Sequence, residues 1–275
     1  MTFKIGLAQA DSGNSKDESL KKAVSLMEEA SSKKVEMIVF PEFFMEYVPL
    51  ADPIEKYASV AEPLNGPFVS TISYEADKRK MYVAVGIYEK PTVGQRIHNT
   101  IVLIGPDGSI LSANRKLHSF DAFGFNESEK FKSGEDPGQV ADTTLGKIGT
   151  MVCYDLRFPE ATRMQVMDGA EILLVPAAWL RGIMKEDHWI TLVKARAIEN
   201  TIFVAACSQP GRMFSGRSMV VDPFGITLCD GGAEESLVVT NIDLQRIKKV
   251  RERLPCLDQI RMDIATSFWT RKLQT

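Results

Sequence analysis

The sequence predicts an α/β fold, a four-layer α-β-β-α sandwich whose two halves are related by a pseudo-two-fold axis. Two observations carry this expectation. Short apolar runs alternate with amphipathic helical stretches, the pattern of sheets covered by helices. The order β-α-β-α-β-hairpin also occurs twice along the chain. Right-handed crossovers put the helices of each half on one face of its sheet. The other face then needs cover, and the matching face of the other half is the most economical partner.

In the first half, residues 3–9, "FKIGLAQ", alternate as a strand does. Ser15 with Glu18 three residues on forms a capping box. The helix behind it places Leu20, Ala23, Val24, Met27 and Ala30 on one face. "VEMIVF" (35–40) is the continuous apolar run of a strand covered on both sides, and it stops at Pro41-Glu42. Pro67 opens a second helix that runs to about Lys80. "MYVAVGIYE" is the next strand, and a hairpin then turns on Pro106-Asp107-Gly108.

The second half follows the same order. A strand over 147–153 leads to a helix from about Pro159 to just before Gly169. The strand "EILLVP" (171–176), a helix from about Asp187 to Asn200 and the strand "TIFVAAC" come next. A hairpin turns on Asp222-Pro223-Phe224-Gly225, and "SLVVTNI" is expected to close this half. Residues 243–275 read as a short charged helix and an irregular arm, either docked on another subunit or solvated. The chain is expected to be a single domain over 1–275. The moderately linker-like "SGEDPGQVADTTLG" near residue 140 offers a two-domain split as the alternative.

Composition narrows the chemistry. The chain has 275 residues, 44% hydrophobic and 25% charged, the proportions of a folded soluble protein. A net charge of −3 provides no basic field for nucleic acid or an anionic membrane. The start "MTFKIGLAQADSG" is unlike a signal peptide and no window approaches 18 apolar residues, so a cytoplasmic location is expected. Four cysteines without a CxxC pair and three histidines without HxxxH spacing mark no zinc site or disulfide scaffold. No phosphate-cradling glycine motif is present either. Chemistry by side chains alone, with no cofactor or metal, is the expectation.

Three polar residues stand beyond the carboxyl ends of strands, where reactive groups gather in α/β sheets. Glu42 sits between the apolar segments "VEMIVFP" and "FFMEY". It is either a proton carrier or a solvent-facing loop glutamate. Lys116 ends the first hairpin, as a surface charge or as an ammonium that stabilises an oxyanion. Cys153 precedes a tight elbow, as a structural thiol or a nucleophile. Together they suggest amide chemistry without metal. The carboxylate takes the thiol proton and returns one to leaving ammonia, and the ammonium holds the oxyanion. A cysteine–histidine pair using His118 or His188 is the alternative, and His118 lies two residues from Lys116.

"PEFF" around Glu42, "NRKLH" around Lys116 and "VCYDLRFPE" around Cys153 resemble the three signatures of the nitrilase superfamily, the carbon–nitrogen hydrolases. "GAEILLVPAAW", "HWITLVKARAIEN" and "SMVVDPFG" match further family segments in order, so the likeness covers nearly the whole chain. The resemblance implies the same sandwich, usually assembled as homodimers or larger homo-oligomers. It implies Glu42 as general base, Lys116 as transition-state stabiliser, Cys153 as nucleophile and Glu127 in "FNES" as a supporting carboxylate.

True nitrilases typically carry Trp-Glu after the nucleophile, whereas "CYDLRFPE" is similar to the amidase-type branches that include ω-amidases and deaminated glutathione amidases. The expected reaction is hydrolysis of a primary amide on a small carboxylic acid, with release of ammonia. Hydrolysis of carbamoyl or ureido compounds or of nitriles is the alternative. A non-catalytic scaffold of the same fold is the rival from another class. Phe43, His118, Tyr154, Arg157 and Trp179 are the expected substrate contacts. Trp179 departs from the smaller or different residue common at its position and either narrows the acyl pocket or packs as core. Arg157, Arg181 and Arg212 are candidates for meeting a substrate carboxylate.

Overall fold

A computed structural model describes residues 1–91 and 96–273. The first sheet-forming half contains β1 (Thr2–Gln9), α1 (Lys16–Ser32), β2 (Met37–Val39), α2 (Ile54–Val60), α3 (Pro67–Arg79), β3 (Tyr82–Glu89), β4 (His98–Ile104) and β5 (Ile110–Arg115). The second contains β6 (Ala141–Thr143), β7 (Gly146–Thr150), α4 (Pro159–Met167), β8 (Ile172–Ala177), α5 (Lys185–Asn200), β9 (Phe203–Ser208), β10 (Met219–Val221) and β11 (Thr227–Asp230). The chain continues as β12 (Ser236–Asp243), α6 (Gln245–Arg251) and α7 (Met262–Leu273). Two six-stranded sheets result, ordered β12-β1-β2-β3-β4-β5 and β11-β10-β9-β8-β7-β6.

The layering follows from the two-residue period of the strands. In the first sheet Ile5, Leu7, Met37, Val39, Ala84, Ile101 and Leu103 point inward and pack in one cluster with the second sheet. Their neighbours Ala8, Ile38, Val83, Val85, Val102 and Ile104 point outward into a second cluster. Ala23, Met27 and Ala30 of α1 and Phe68, Val69 and Ile72 of α3 fill that outer cluster. Both faces of β2 and β3 are therefore buried, as their unbroken apolar sequences require. The start of α1 is capped as expected on one side only. Ser15 Oγ accepts from the Glu18 N–H at 3.3 Å, whereas the Glu18 carboxylate accepts from the N–H of Asn14, not of Ser15.

Several expectations are corrected. β12 does not close the second half. It crosses to the first sheet and pairs antiparallel with β1 along its whole length, from Thr2↔Asp243 to Gln9↔Ser236. The matching edge of the second sheet is filled by β6, a three-residue strand inside the linker-like segment. Its sequence "ADT" is too short and polar to carry a strand signal. The one-turn-plus helix α2 also went unread, having no side-chain cap at its start. The strand expected over 147–153 ends at Thr150. The arm after α6 is irregular, as expected, only over residues 252–261; from Met262 to Leu273 it is helical as α7, and its last two residues lie outside the described residues. Among the described residues no helix is long and apolar enough to cross a membrane.

Candidate active site

Glu42 reaches the site because β2 ends at Val39 and the chain turns sharply past β3. Phe43 adopts the left-handed conformation at φ 57°. The turn presses on Gly86 of β3, where a Cβ would lie 2.6 Å from the Pro41 carbonyl oxygen and 2.8 Å from Glu42 Cα. Only a residue without a side chain allows this approach. The Glu42 side chain is 1% exposed and fully engaged. Its Oε1 accepts from Asn99 Nδ2 at 2.7 Å and Lys116 Nζ at 3.1 Å, and its Oε2 accepts from the Ala178 N–H at 2.7 Å.

Lys116 follows β5, and its backbone is held on both sides. Its N–H donates to the Asn99 carbonyl and its carbonyl accepts from the Gly134 N–H, both at 2.8 Å. Its Nζ lies 2.7 and 2.9 Å from the two Glu127 oxygens. Glu127 is pinned in turn by the Phe120 N–H at 2.6 Å. Burial opposes charge on Lys116, but the carboxylates of Glu127 and Glu42 outweigh it and hold the ammonium well above the ordinary lysine range. Burial also pushes the Glu127 carboxyl up, with Lys116 pulling against it and Glu42 adding to the rise.

Cys153 opens a 3₁₀ turn, Cys153–Arg157, at φ 45°. A non-glycine residue held there is strained and needs surrounding support. Asp155 supplies it. Its carboxylate accepts from the N–H groups of Val152, Leu117 and His118 at 3.2, 3.3 and 2.8 Å. One buried acid thus clips the turn bearing Cys153 to the segment that follows Lys116. Burial pushes the Cys153 thiol well above its ordinary pKa, Glu42 adds to this and Lys116 opposes it. Loss of the thiol proton is thereby disfavoured unless a base takes it.

Glu42, Lys116, Glu127 and Cys153 line one cleft that is partly open to solvent. A carboxylate, an ammonium and a thiol thus meet in one cleft from separate stretches of the chain. The sequence pattern of the carbon–nitrogen hydrolase family matches residues 4–252. The chain belongs to the carbon–nitrogen hydrolase family. It is 35% identical over 239 residues to a deaminated glutathione amidase of Escherichia coli O157:H7, covering 86% of this chain and 89% of that protein. It is 32% identical to the omega-amidase NIT2 of Bos taurus, covering 96% of each. The crystal structure of a carbon–nitrogen hydrolase from Helicobacter pylori G27 superposes with a TM-score of 0.90 at 27% identity, over 98% of this chain and 99% of that one.

Of the residues expected from the sequence to meet substrate, Phe43, Tyr154, Arg157 and Trp179 line the cleft of this carbon–nitrogen hydrolase. Trp179 faces both the cleft and the core. It walls the cleft, and it packs on Trp189 with ring centres 5.3 Å apart. His118 is a correction, for it is not among the cleft-lining residues. Its ring stacks on Phe158 at 3.5 Å and its Nδ1 lies 2.8 Å from Asp155, so it braces the elbow instead. His188 is exposed and contacts Arg157. Arg181 donates to the Phe214 carbonyl, and Arg212 lies over the Tyr47 ring beside Asp11, so neither lines the cleft.

Other residues of the hydrolase site were not singled out from sequence. Asn99 holds Glu42 from the first position after the start of β4, and the Ala178 N–H holds it from the end of β8. Tyr57 reaches the cleft from the unread helix α2. Lys185, at the start of α5, lines the cleft beside Trp179. A backbone N–H carries no sequence signature, but an asparagine in a buried strand and an aspartate two residues past the thiol do. Among the described residues no cluster of three or more His, Cys, Asp and Glu is placed to hold a metal ion.

Proposed function

We propose that this hydrolase cleaves a primary amide at the end of a small carboxylic acid, through a thioester on Cys153 and with release of ammonia. The observation that carries the proposal is the meeting of Glu42, Lys116 and Cys153 in one cleft, with both Glu42 oxygens oriented by donors. The amidase names of the relatives support the same bond type. Glu42 accepts the thiol proton as sulfur attacks the amide carbon, a general-base step worth about 10²–10⁴-fold. Lys116 meets the developing oxyanion, and Glu127 keeps the ammonium in place. As the tetrahedral intermediate collapses, the carbon–nitrogen bond breaks and Glu42 gives its proton to the departing nitrogen, which leaves as ammonia. Water then attacks the thioester with Glu42 as base, releasing the carboxylic acid and restoring the thiol.

The four free cysteines support a reducing, cytoplasmic setting. Exposed Ile264, Phe268 and Trp269 on α7 support the C-terminal arm as the contact of a homodimer or larger homo-oligomer.

Ammonia release from ω-amides, carbamoyl amino acids and nitriles, scored by kcat/KM, tests the proposal. The ω-amides are expected to lead. No ammonia from any class, or nitriles ahead of amides, would overturn it. A second expected result concerns the turn at Glu42. Gly86→Ala forces a methyl group into the Pro41–Phe43 backbone. It should cost about 1–3 kcal/mol of stability and lower kcat at least about tenfold by shifting the Glu42 carboxylate. Thermal melts and steady-state assays of the variant check both, and a wild-type kcat would show that the contact is not needed to place Glu42.

A further inference from the structure

Lys185 is an ammonium in a place that disfavours one. It is the first residue of α5, where the helix dipole repels a cation. The residue is only 8% exposed. Its Nζ lies against rings, 4.0 Å from the centre of Phe123, 5.2 Å from Phe120 and 5.9 Å from Trp179. Among the described residues no carboxylate pairs with it. The two acids that follow it, Glu186 and Asp187, act on Arg217 instead. Arg157 is also close, its guanidinium 4.9 Å from the centre of the same Trp179 ring. Burial and the charge of Arg157 both push the Lys185 pKa down.

Four cations line the cleft, Lys116, Lys130, Arg157 and Lys185, against two carboxylates, Glu42 and Glu127. Both carboxylates are spent on Lys116. Lys130 donates to the Leu50 carbonyl. The remaining pair, Lys185 and Arg157, faces the cleft near the same Trp179 ring, with no counter-ion among the described residues. A position that breaks the rules of helix charge, burial and like-charge spacing together is expected where function requires it.

We propose that Lys185, together with Arg157, forms the anion-recognising end of the cleft, binding a carboxylate on the acyl chain and selecting anionic over neutral amides. This rests on the amidase reading and deepens it. The aromatic rings of Phe120, Phe123 and Trp179 hold the ammonium in a fixed place without neutralising it, which leaves its charge for the substrate. The carboxylate enters as the missing counter-ion, and the affinity gained is the relief of a repulsion already present.

The test compares glutaramate with its neutral methyl ester. Wild-type protein should favour the acid by about 10- to 100-fold in kcat/KM, the usual range for one hydrogen bond to a charged group. Lys185→Met keeps the apolar stem and should reduce that ratio at least about tenfold, with the loss falling mainly on the acid. Lys185→Arg should retain the preference. A wild-type ratio near one, or an equal loss on acid and ester in Lys185→Met, overturns the proposal. Calorimetric titration with glutarate separates this from failure of the amidase reading. If neither amide is turned over but glutarate binds wild type and binds Lys185→Met at least about tenfold more weakly, the amidase reading fails and the anion site stands. Equal binding to the two proteins, or no binding to wild type, removes the anion site.

Discussion

Replacing Cys153 with alanine is expected to abolish ammonia release, lowering kcat by at least about 10⁴-fold while the fold survives. The covalent bond is assigned to the sulfur because, of the amines lining the cleft, Lys116 is a paired ammonium, Lys130 donates to the Leu50 carbonyl and Lys185 is ring-enclosed. The substitution removes one buried atom and adds no charge. Its stability change should stay near ~1 kcal/mol, because the elbow is held by Asp155 and not by the thiol. Intact mass after brief mixing with substrate checks the assignment. Wild-type protein should gain the acyl mass and the variant should not. An acyl adduct that still accumulated on Cys153→Ala would place the nucleophile elsewhere.

The second large effect is on stability. Lys116→Met leaves the Glu42 and Glu127 carboxyls buried beside each other with no cation. Removing one partner of a buried ionic group costs about 3–5 kcal/mol, on the order of 10 °C in Tm for a chain of this size. The pH dependence has a definite sign. Burial and Glu42 already raise the Glu127 pKa, and loss of Lys116 raises it further. A carboxyl whose folded pKa exceeds its unfolded value favours folding at low pH, and that contribution is lost as pH rises through the folded pKa. The Tm deficit of the variant should therefore shrink toward acid pH and widen as the pH rises toward and above neutrality. In the wild-type protein the raised Lys116 pKa adds stability that is kept until alkaline pH. Melts of both proteins across that range decide the point, and a deficit independent of pH would mean that the lost packing of the stem outweighs the charge. Activity should fall at least about 10²-fold in the same variant, through loss of the oxyanion partner.

Much of this architecture was legible because its signals are local. The period of α1, the apolar run of β2 and the proline and glycine punctuation of the two hairpins each lie within a few residues of one another. Glu42, Lys116 and Cys153 stood out because each is a polar group at the carboxyl end of a strand read from the sequence, two of them after apolar runs. What escaped reading depends on partners far away in the chain. Nothing within "SLVVTNI" says which sheet edge it will join, and its alternation suits either. The Ala178 N–H that holds Glu42 lies 136 residues from it and has no side-chain signature. Lys185 at the head of an acidic helical turn reads as a solvated charge until Phe120 and Phe123 of one loop and Trp179 of another segment are brought around it. Cys153 was expected on the strand itself, and only the tertiary clasp of Asp155 makes its left-handed backbone tolerable.

The crossing of β12 has a consequence for how the chain is made. Thr2 leaves the ribosome early and Asp243 late, yet they are neighbours in the finished sheet. Until the last strand is synthesised, the nascent protein carries an open, apolar edge on β1 that invites wrong pairing. Cutting the gene between the halves would leave that edge open permanently in one product and strand β12 without its sheet in the other. Fragments of this enzyme expressed separately should therefore be sticky alone and become well behaved only when the two are produced together.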